Sequence, residues 1–104
     1  MIIVNTEKIE GRRIVETIGL VKGSTIRAKW FGKDIIASVR NLIGGELKEY
    51  TQMFDEAREQ AVERMSKEAE KKGANAVINV RFTSAQVAQG SAELLAYGTA
   101  VKIE

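Results

Sequence analysis

Cysteine, histidine and proline are all absent from this sequence of 104 residues. Without cysteine or histidine there is no thiol nucleophile, no disulfide and no Ser-His-Asp triad. The soft ligands that usually hold zinc or haem are missing too. Any metal site would have to be built from oxygen ligands. The lack of cysteine fits a cytoplasmic protein, and no charged segment followed by an apolar run opens the chain as a leader would. The lack of proline, together with the lack of any Ser/Gly-rich linker, leaves no internal boundary, so residues 1–104 read as one domain. Long apolar runs are missing as well. None approaches the ~18 residues of a transmembrane helix. Excess charge is small: 16 basic against 14 acidic residues give a net charge of +2, too little to imply a nucleic-acid or membrane partner.

What is present is ordinary for a folded protein: 44% hydrophobic and 29% charged residues. Charge is unevenly shared. Residues 1–45 carry eight bases and four acids, whereas residues 46–104 carry eight bases and ten acids. The two parts therefore attract one another, within a chain or between chains.

The first 30 residues read as strands. Ile2-Ile3-Val4 is a short β-branched run, and Glu10-Gly11 marks a turn. Ile14, Glu16, Ile18 and Leu20 alternate with Val15, Thr17, Gly19 and Val21, a period of two. Gly23-Ser24 reads as an interruption, with a continuation from Thr25 to Trp30. Asp34 then caps a short helix carrying Ile35, Ile36, Val39, Leu42 and Ile43, which Gly44-Gly45 ends.

A long helix is predicted from Glu46 to Lys72. Leu47, Tyr50, Phe54, Ala57, Ala61, Met65 and Ala69 recur at steps of three and four and form one apolar stripe. Glu63 with Lys67, and Glu68 with Lys72, have the spacing of favourable pairs on the solvated side. Gly73 is the expected left-handed stop. Two strands follow, Ala76–Phe82 and Leu94–Ile103, with the polar stretch 84–91 read as a loop. The strands carry apolar residues on both faces, yet a single helix stripe covers one. At this chain length burial is limiting. The second face is therefore expected to be buried between copies of the chain, the alternative being a monomer with the short helix folded over it.

Several constellations invite a chemical reading. Gly44-Gly45-Glu46 opens a helix, where backbone N–H groups can hold an anion, but the Glu46 carboxylate occupies that place and the run reads more simply as a helix break. Glu46, Glu49 and Asp55 or Glu56 are oxygen donors suited to a hard cation, although acids this frequent usually line a solvated helix. Arg58 flanks the apolar stripe and suits an acidic ligand or a partner carboxylate; the simpler reading is a packed stem with a hydrated head. Arg27, Lys29, Trp30, Phe31 and Lys33 mix bases with aromatics in the manner of a single-strand binder, but one short cluster reads more simply as a packed corner. Asn75 has an amide able to hold a ligand or, more simply, to satisfy the turn after the helix.

Gly44-Gly45-Glu46, Tyr50-Thr51, Ala57-Arg58 with Ala61, Gly73-Ala74-Asn75-Ala76-Val77-Ile78 and Tyr97-Gly98-Thr99-Ala100-Val101 together resemble the YbjQ-like family. These are small bacterial and archaeal proteins of uncharacterised function that carry a heavy-metal-binding label. The resemblance spans nearly the whole chain. It implies a dodecin-like α+β subunit, an antiparallel sheet packed against one long helix plus a short helix, assembling as a ring, most directly a pentamer. The metal label has no soft ligands to rest on here.

The resulting expectation is a non-enzymatic, cytoplasmic homo-oligomer with no evident catalytic site. Glu46, Tyr50, Arg58 and Asn75 are the positions expected to line an intersubunit or ligand-binding site, with the ligand or cofactor unspecified. The alternative is a metal-binding protein using carboxylates, in which symmetry mates of Glu46 converge. An enzyme acting through Arg58, Tyr50 and Glu46 on an anionic substrate ranks last, because no nucleophile–base pair is visible.

Overall fold

A computed structural model of the chain describes residues 1–28, 48–88 and 91–104. The short helix expected near Asp34, the Gly44-Gly45 break and Glu46 lie outside the described residues. The elements are β1 (Ile2–Ile3), β2 (Ile14–Ala28), α1 (Lys48–Lys71), β3 (Ala76–Ala88) and β4 (Ser91–Ile103). Four strands form one sheet in the order β1-β3-β4-β2. β4 pairs antiparallel with both β2 and β3, whereas β1 runs parallel to β3. The sheet is thus mixed, and the expectation of a purely antiparallel sheet is corrected by the short first strand.

α1 lies on one face, against β2 and β4. The described part of its predicted stripe packs as expected: Ala57, Ala61, Met65 and Ala69 are fully buried, and Phe54 is half-buried, while the side chains of Leu47 and Tyr50 lie outside what is described. Ala61, Met65 and Ala69 meet Val21, Val77, Val80, Ala96 and Ala100 in one core cluster, with Ile3, Ile18 and Val62 at its margin. Alanine dominates this contact, and Met65 is its one long helix side chain; burying it contributes about 1.5–3 kcal/mol. The helix presses closest at Gly23. A Cβ there would overlap the Ala61 carbonyl oxygen and the Met65 amide nitrogen, both backbone atoms that cannot step aside. Gly23 was expected to interrupt the strand. Instead β2 runs through it to Ala28, and the residue without a side chain marks the point of closest helix approach.

The irregularities of the sheet sit elsewhere. Register shifts fall between Ile14 and Glu16 and between Thr17 and Gly19 on β2, and between Ile78 and Arg81 and between Gln86 and Ala88 on β3. The second lets Ile18 join the helix-side core while Leu20, expected to share its face, opposes Thr99 on the other side. The third contains Asn79 at a positive φ of 54° and turns Val80 toward α1, away from the face of Ala76 and Ile78. The stretch 84–91, expected to be a loop, is mostly strand: β3 continues to Ala88 and β4 begins at Ser91. Ser84, Ala85 and Gln86 are exposed, and β3 and β4 pair along this stretch, Ala88 opposite Ser91.

The helix ends as predicted at Gly73, with φ 87°. The Ala74 amide donates to the Ala69 carbonyl (3.0 Å) and the Gly73 amide to the Glu70 carbonyl (3.0 Å), a full Schellman motif. Ala74 and Ala69 also meet in the core, the hydrophobic contact that accompanies this stop.

The face away from α1 is covered at one end by the N-terminal segment. Ile2, Val4, Ile9 and Ile14 pack on Ala76, Ile78, Val101 and Ile103. The segment is held by the Val4 amide on the Val77 carbonyl (3.0 Å), and by Val80 and Asn79 amides donating to the Val4 and Thr6 carbonyls (3.1 and 2.9 Å). Part of the second face therefore has an intramolecular cover that periodicity alone does not reveal. Gly23→Ala should cost about 1–3 kcal/mol by lifting α1 off the sheet. A fall in the urea midpoint without a change in the slope of the transition would show it.

Candidate functional site

Of the four positions expected to line a site, the described residues include the side chains of Arg58 and Asn75, and these two do not meet within one chain. Glu46 lies outside the described residues. Tyr50 is in the first turn of α1, and its side chain also lies outside what is described. Arg58 is exposed on α1 and bonds Asp55 Oδ1 at 2.7 Å, one turn back on the same helix. Asn75 follows the helix stop. Fourteen residues of helix separate Arg58 from Lys72, a rise of roughly 21 Å, so Arg58 and Asn75 belong to different ends of the molecule.

Asn75 acts as a peptide surrogate. Its Nδ2 donates to the Ile103 carbonyl (2.9 Å), and its Oδ1 accepts from the Ile103 amide (2.7 Å). Its own amide donates to the Val101 carbonyl (3.1 Å). The side chain thereby continues the sheet where β3 has not yet begun, and clasps the end of β4. Beside it, Arg13 and Glu104 exchange backbone hydrogen bonds and pair through their side chains.

Two surfaces emerge, of which the apolar periodicity anticipates the first and not the second. One is the part of the face away from α1 that no described element covers. Residues opposite one another on antiparallel strands share a face. The rows Ile78–Thr99–Leu20, Arg81–Tyr97–Lys22, Thr83–Leu95–Ser24 and Ala85–Glu93–Ile26 therefore line it in turn. Leu20 and Ile26 are 65% and 64% exposed. Leu95 and Tyr97 between them are half-buried. Gly19 is the signal for which residues this face exposes, since its bulge turns Leu20 outward.

The other surface is the outer edge of β2. Arg64 Nη1 donates to the Ser24 carbonyl (2.6 Å), the Lys22 amide donates to Glu68 Oε2 (3.2 Å), and Lys72 Nζ donates to the Leu20 carbonyl (3.4 Å). Glu68 also pairs with Lys72 at 3.3 Å. The Lys22 amide, donating to the charged form, holds the Glu68 carboxyl below the ordinary glutamate range. Partial burial opposes this and Lys72 reinforces it. Deeper within the same contact, the buried Thr25 hydroxyl donates to the Ala57 carbonyl (3.1 Å). Among the described residues no group of three or more carboxylates is placed to hold a cation. No described helix is long and apolar enough to cross a membrane.

A carboxyl with a lowered folded pKa contributes stability that is fully present above its unfolded value, about 4.3, and is lost as pH falls through the folded value. The gap in urea midpoint between wild type and Glu68→Gln should therefore be widest near neutral pH and close on acidification below about pH 4. Asn75→Ala should cost about 1–2 kcal/mol by leaving both Ile103 backbone groups without their partner. Faster amide exchange at Ile103 would mark the site of the loss.

The family model described as "YbjQ_1: Putative heavy-metal-binding" matches residues 1–104. A UPF0145 protein of Dehalococcoides mccartyi is 57% identical over 104 residues, covering all of both chains. One from Clostridioides difficile is 62% identical over all of this chain and 93% of its own. One from the archaeon Methanosarcina acetivorans is 56% identical over 99% and 97% of the two chains. A crystal structure from Pediococcus pentosaceus, described as a protein of unknown function of the DUF74 family, superposes with a TM-score of 0.65. It covers 100% of this chain and 98% of its own at 18% identity, a likeness of fold. With its whole length matched by the family model and by relatives of this identity, the chain belongs to the YbjQ-like, UPF0145 family.

Proposed function

We propose that this chain is a non-enzymatic, cytoplasmic subunit that closes into a dodecin-like homo-oligomeric ring, most directly the pentamer that the family resemblance implies. The uncovered sheet face is the assembly surface in this reading. The observation that carries it is the exposure of Leu20 and Ile26, 65% and 64%, on the face that neither α1 nor the N-terminal segment covers. Large apolar side chains flanking half-buried Leu95 and Tyr97 mark a surface built to lose water. The same face carries Lys22 and Arg81 in one row and Glu93 two rows away. Both signs on one surface let it meet a neighbouring subunit's surface of complementary charge. A small ligand held between subunits, with Glu46, Tyr50, Arg58 and Asn75 as the positions lining its site, is part of the same proposal.

The alternative role, a hard cation held by Glu46 and its symmetry mates, draws its support from the family description and from the purely oxygen-based ligand set of the chain. One measurement separates the two. Light scattering after size exclusion, with and without a chelator, should give a chelator-resistant multiple of 11.5 kDa. Leu20→Glu with Ile26→Lys should lower that mass toward the single chain. A wild-type mass near 11.5 kDa would end the assembly reading. A multiple that dissociates with chelator, and is restored by calcium or magnesium in wild type but not in Glu46→Gln, would replace it with the carboxylate site.

A further inference from the structure

The sheet order places β2 at one edge. An edge strand presents a row of N–H and C=O groups to which another strand can add, and proteins usually guard it with charge, proline or a bulge. Proline is absent from this chain. On β2 the guard comes from a different element. Leu20, Lys22 and Ser24 alternate along the strand, and on an antiparallel edge the backbone groups of alternate residues point the same way. Each of the three has an outward group taken by α1: the Leu20 carbonyl by Lys72, the Lys22 amide by Glu68, the Ser24 carbonyl by Arg64.

The polarity of the three contacts fits the backbone. Carbonyls meet the two cations and the N–H meets the carboxylate, so every contact is charge-assisted. The spacing fits as well. Four helix residues rise about 6 Å, and two antiparallel strand residues advance about 6.8 Å. One side chain every fourth residue of α1 therefore keeps pace with one outward residue of β2, with helix and strand running in opposite directions. The charge order basic, acidic, basic along Arg64, Glu68 and Lys72 reproduces the acceptor, donor, acceptor order of the edge groups they meet. The solvated pair Glu63–Lys67 on the same helix, at 3.2 Å, makes an ordinary surface contact and supplies an internal comparison.

We propose that Arg64, Glu68 and Lys72 act as a surrogate strand that closes the β2 edge against a strand from a second copy of the chain. They direct association to other surfaces. The block concerns the edge and not the sheet face, so it holds whatever mass the wild-type particle proves to have.

The test compares wild type, the triple variant Arg64→Ala/Glu68→Ala/Lys72→Ala and the control Glu63→Ala/Lys67→Ala by light scattering over a hundredfold range of protein concentration. The triple variant should gain at least a twofold larger weight-average mass at the upper end, while wild type and the control stay flat. In dilute solution its Lys22 amide should exchange with solvent at least tenfold faster than in wild type. A triple variant with the wild-type mass profile overturns the proposal, as does a control that grows equally. If the triple variant fails to fold, Glu68→Ala decides the matter through the Lys22 amide. Tenfold faster exchange with a native circular dichroism spectrum, plus concentration-dependent growth when Lys72→Ala is added, supports the surrogate strand. Unchanged exchange or unchanged mass rejects it.

Discussion

Most of this structure depends on how closely α1 approaches the sheet. The stripe on the helix is mainly alanine, and it meets Gly23 on β2 and Ala96 and Ala100 on β4. Small residues on both sides bring the two backbones near one another, and packing at this distance is intolerant of a single added carbon. The position of the helix follows from that contact. Once it is seated over Gly23, its flank overhangs the β2 edge, and side chains of ordinary length reach backbone groups they would otherwise miss. The buried Thr25 hydroxyl on the Ala57 carbonyl belongs to the same arrangement.

The opposite face is governed by scarcity. The described part of the chain has one helix, and that helix is spent on the first face. The N-terminal segment supplies a second cover, but it reaches only the end where Ala76, Ile78, Val101 and Ile103 lie. Bulges decide which residues remain outside. The shift at Thr17/Gly19 moves Ile18 inward and leaves Leu20 outward, and the shift around Asn79 does the corresponding work on β3. The division of the sheet into a covered end and an uncovered end thus arises from a few irregular residues and not from overall hydrophobicity.

These same residues explain what was legible in the sequence. The α1 stripe, its pairs Glu63–Lys67 and Glu68–Lys72 and its stop at Gly73 follow from local periodicity and local chemistry, and all are present. The family is legible from motifs spread over the whole chain. The strand extension to Ala88 runs against the loop expected over 84–91, because polar residues usually signal a loop, whereas here β3 and β4 stay paired out to Ala88 and Ser91. The parallel pairing of β1 and the packing of Val4 and Ile9 depend on contacts distant in sequence, which no periodicity records. Gly23 and Gly19 were visible as glycines. Their roles, a helix seat and a bulge, require knowing what stands opposite. Of the candidate site, Asn75 had a legible turn role, which the structure makes more definite, and Arg58 finds its partner one turn away at Asp55.

The match between α1 and the edge of β2 behaves as a vernier. Two rulers, one graded in helical turns and one in strand pleats, disagree by about 0.8 Å per mark. Over the two intervals from Arg64 to Lys72 the discrepancy reaches about 1.6 Å, which long flexible side chains absorb. A longer series would drift out of step, so three marks is close to the natural length of such a scale. The scale also makes this stretch of helix intolerant of length change. Inserting or deleting one residue between Arg64 and Lys72 would rotate the remaining marks by about 100° and carry them off the edge together. Side chains elsewhere on the solvated helix surface are exchangeable one at a time, whereas these three are tied to a count.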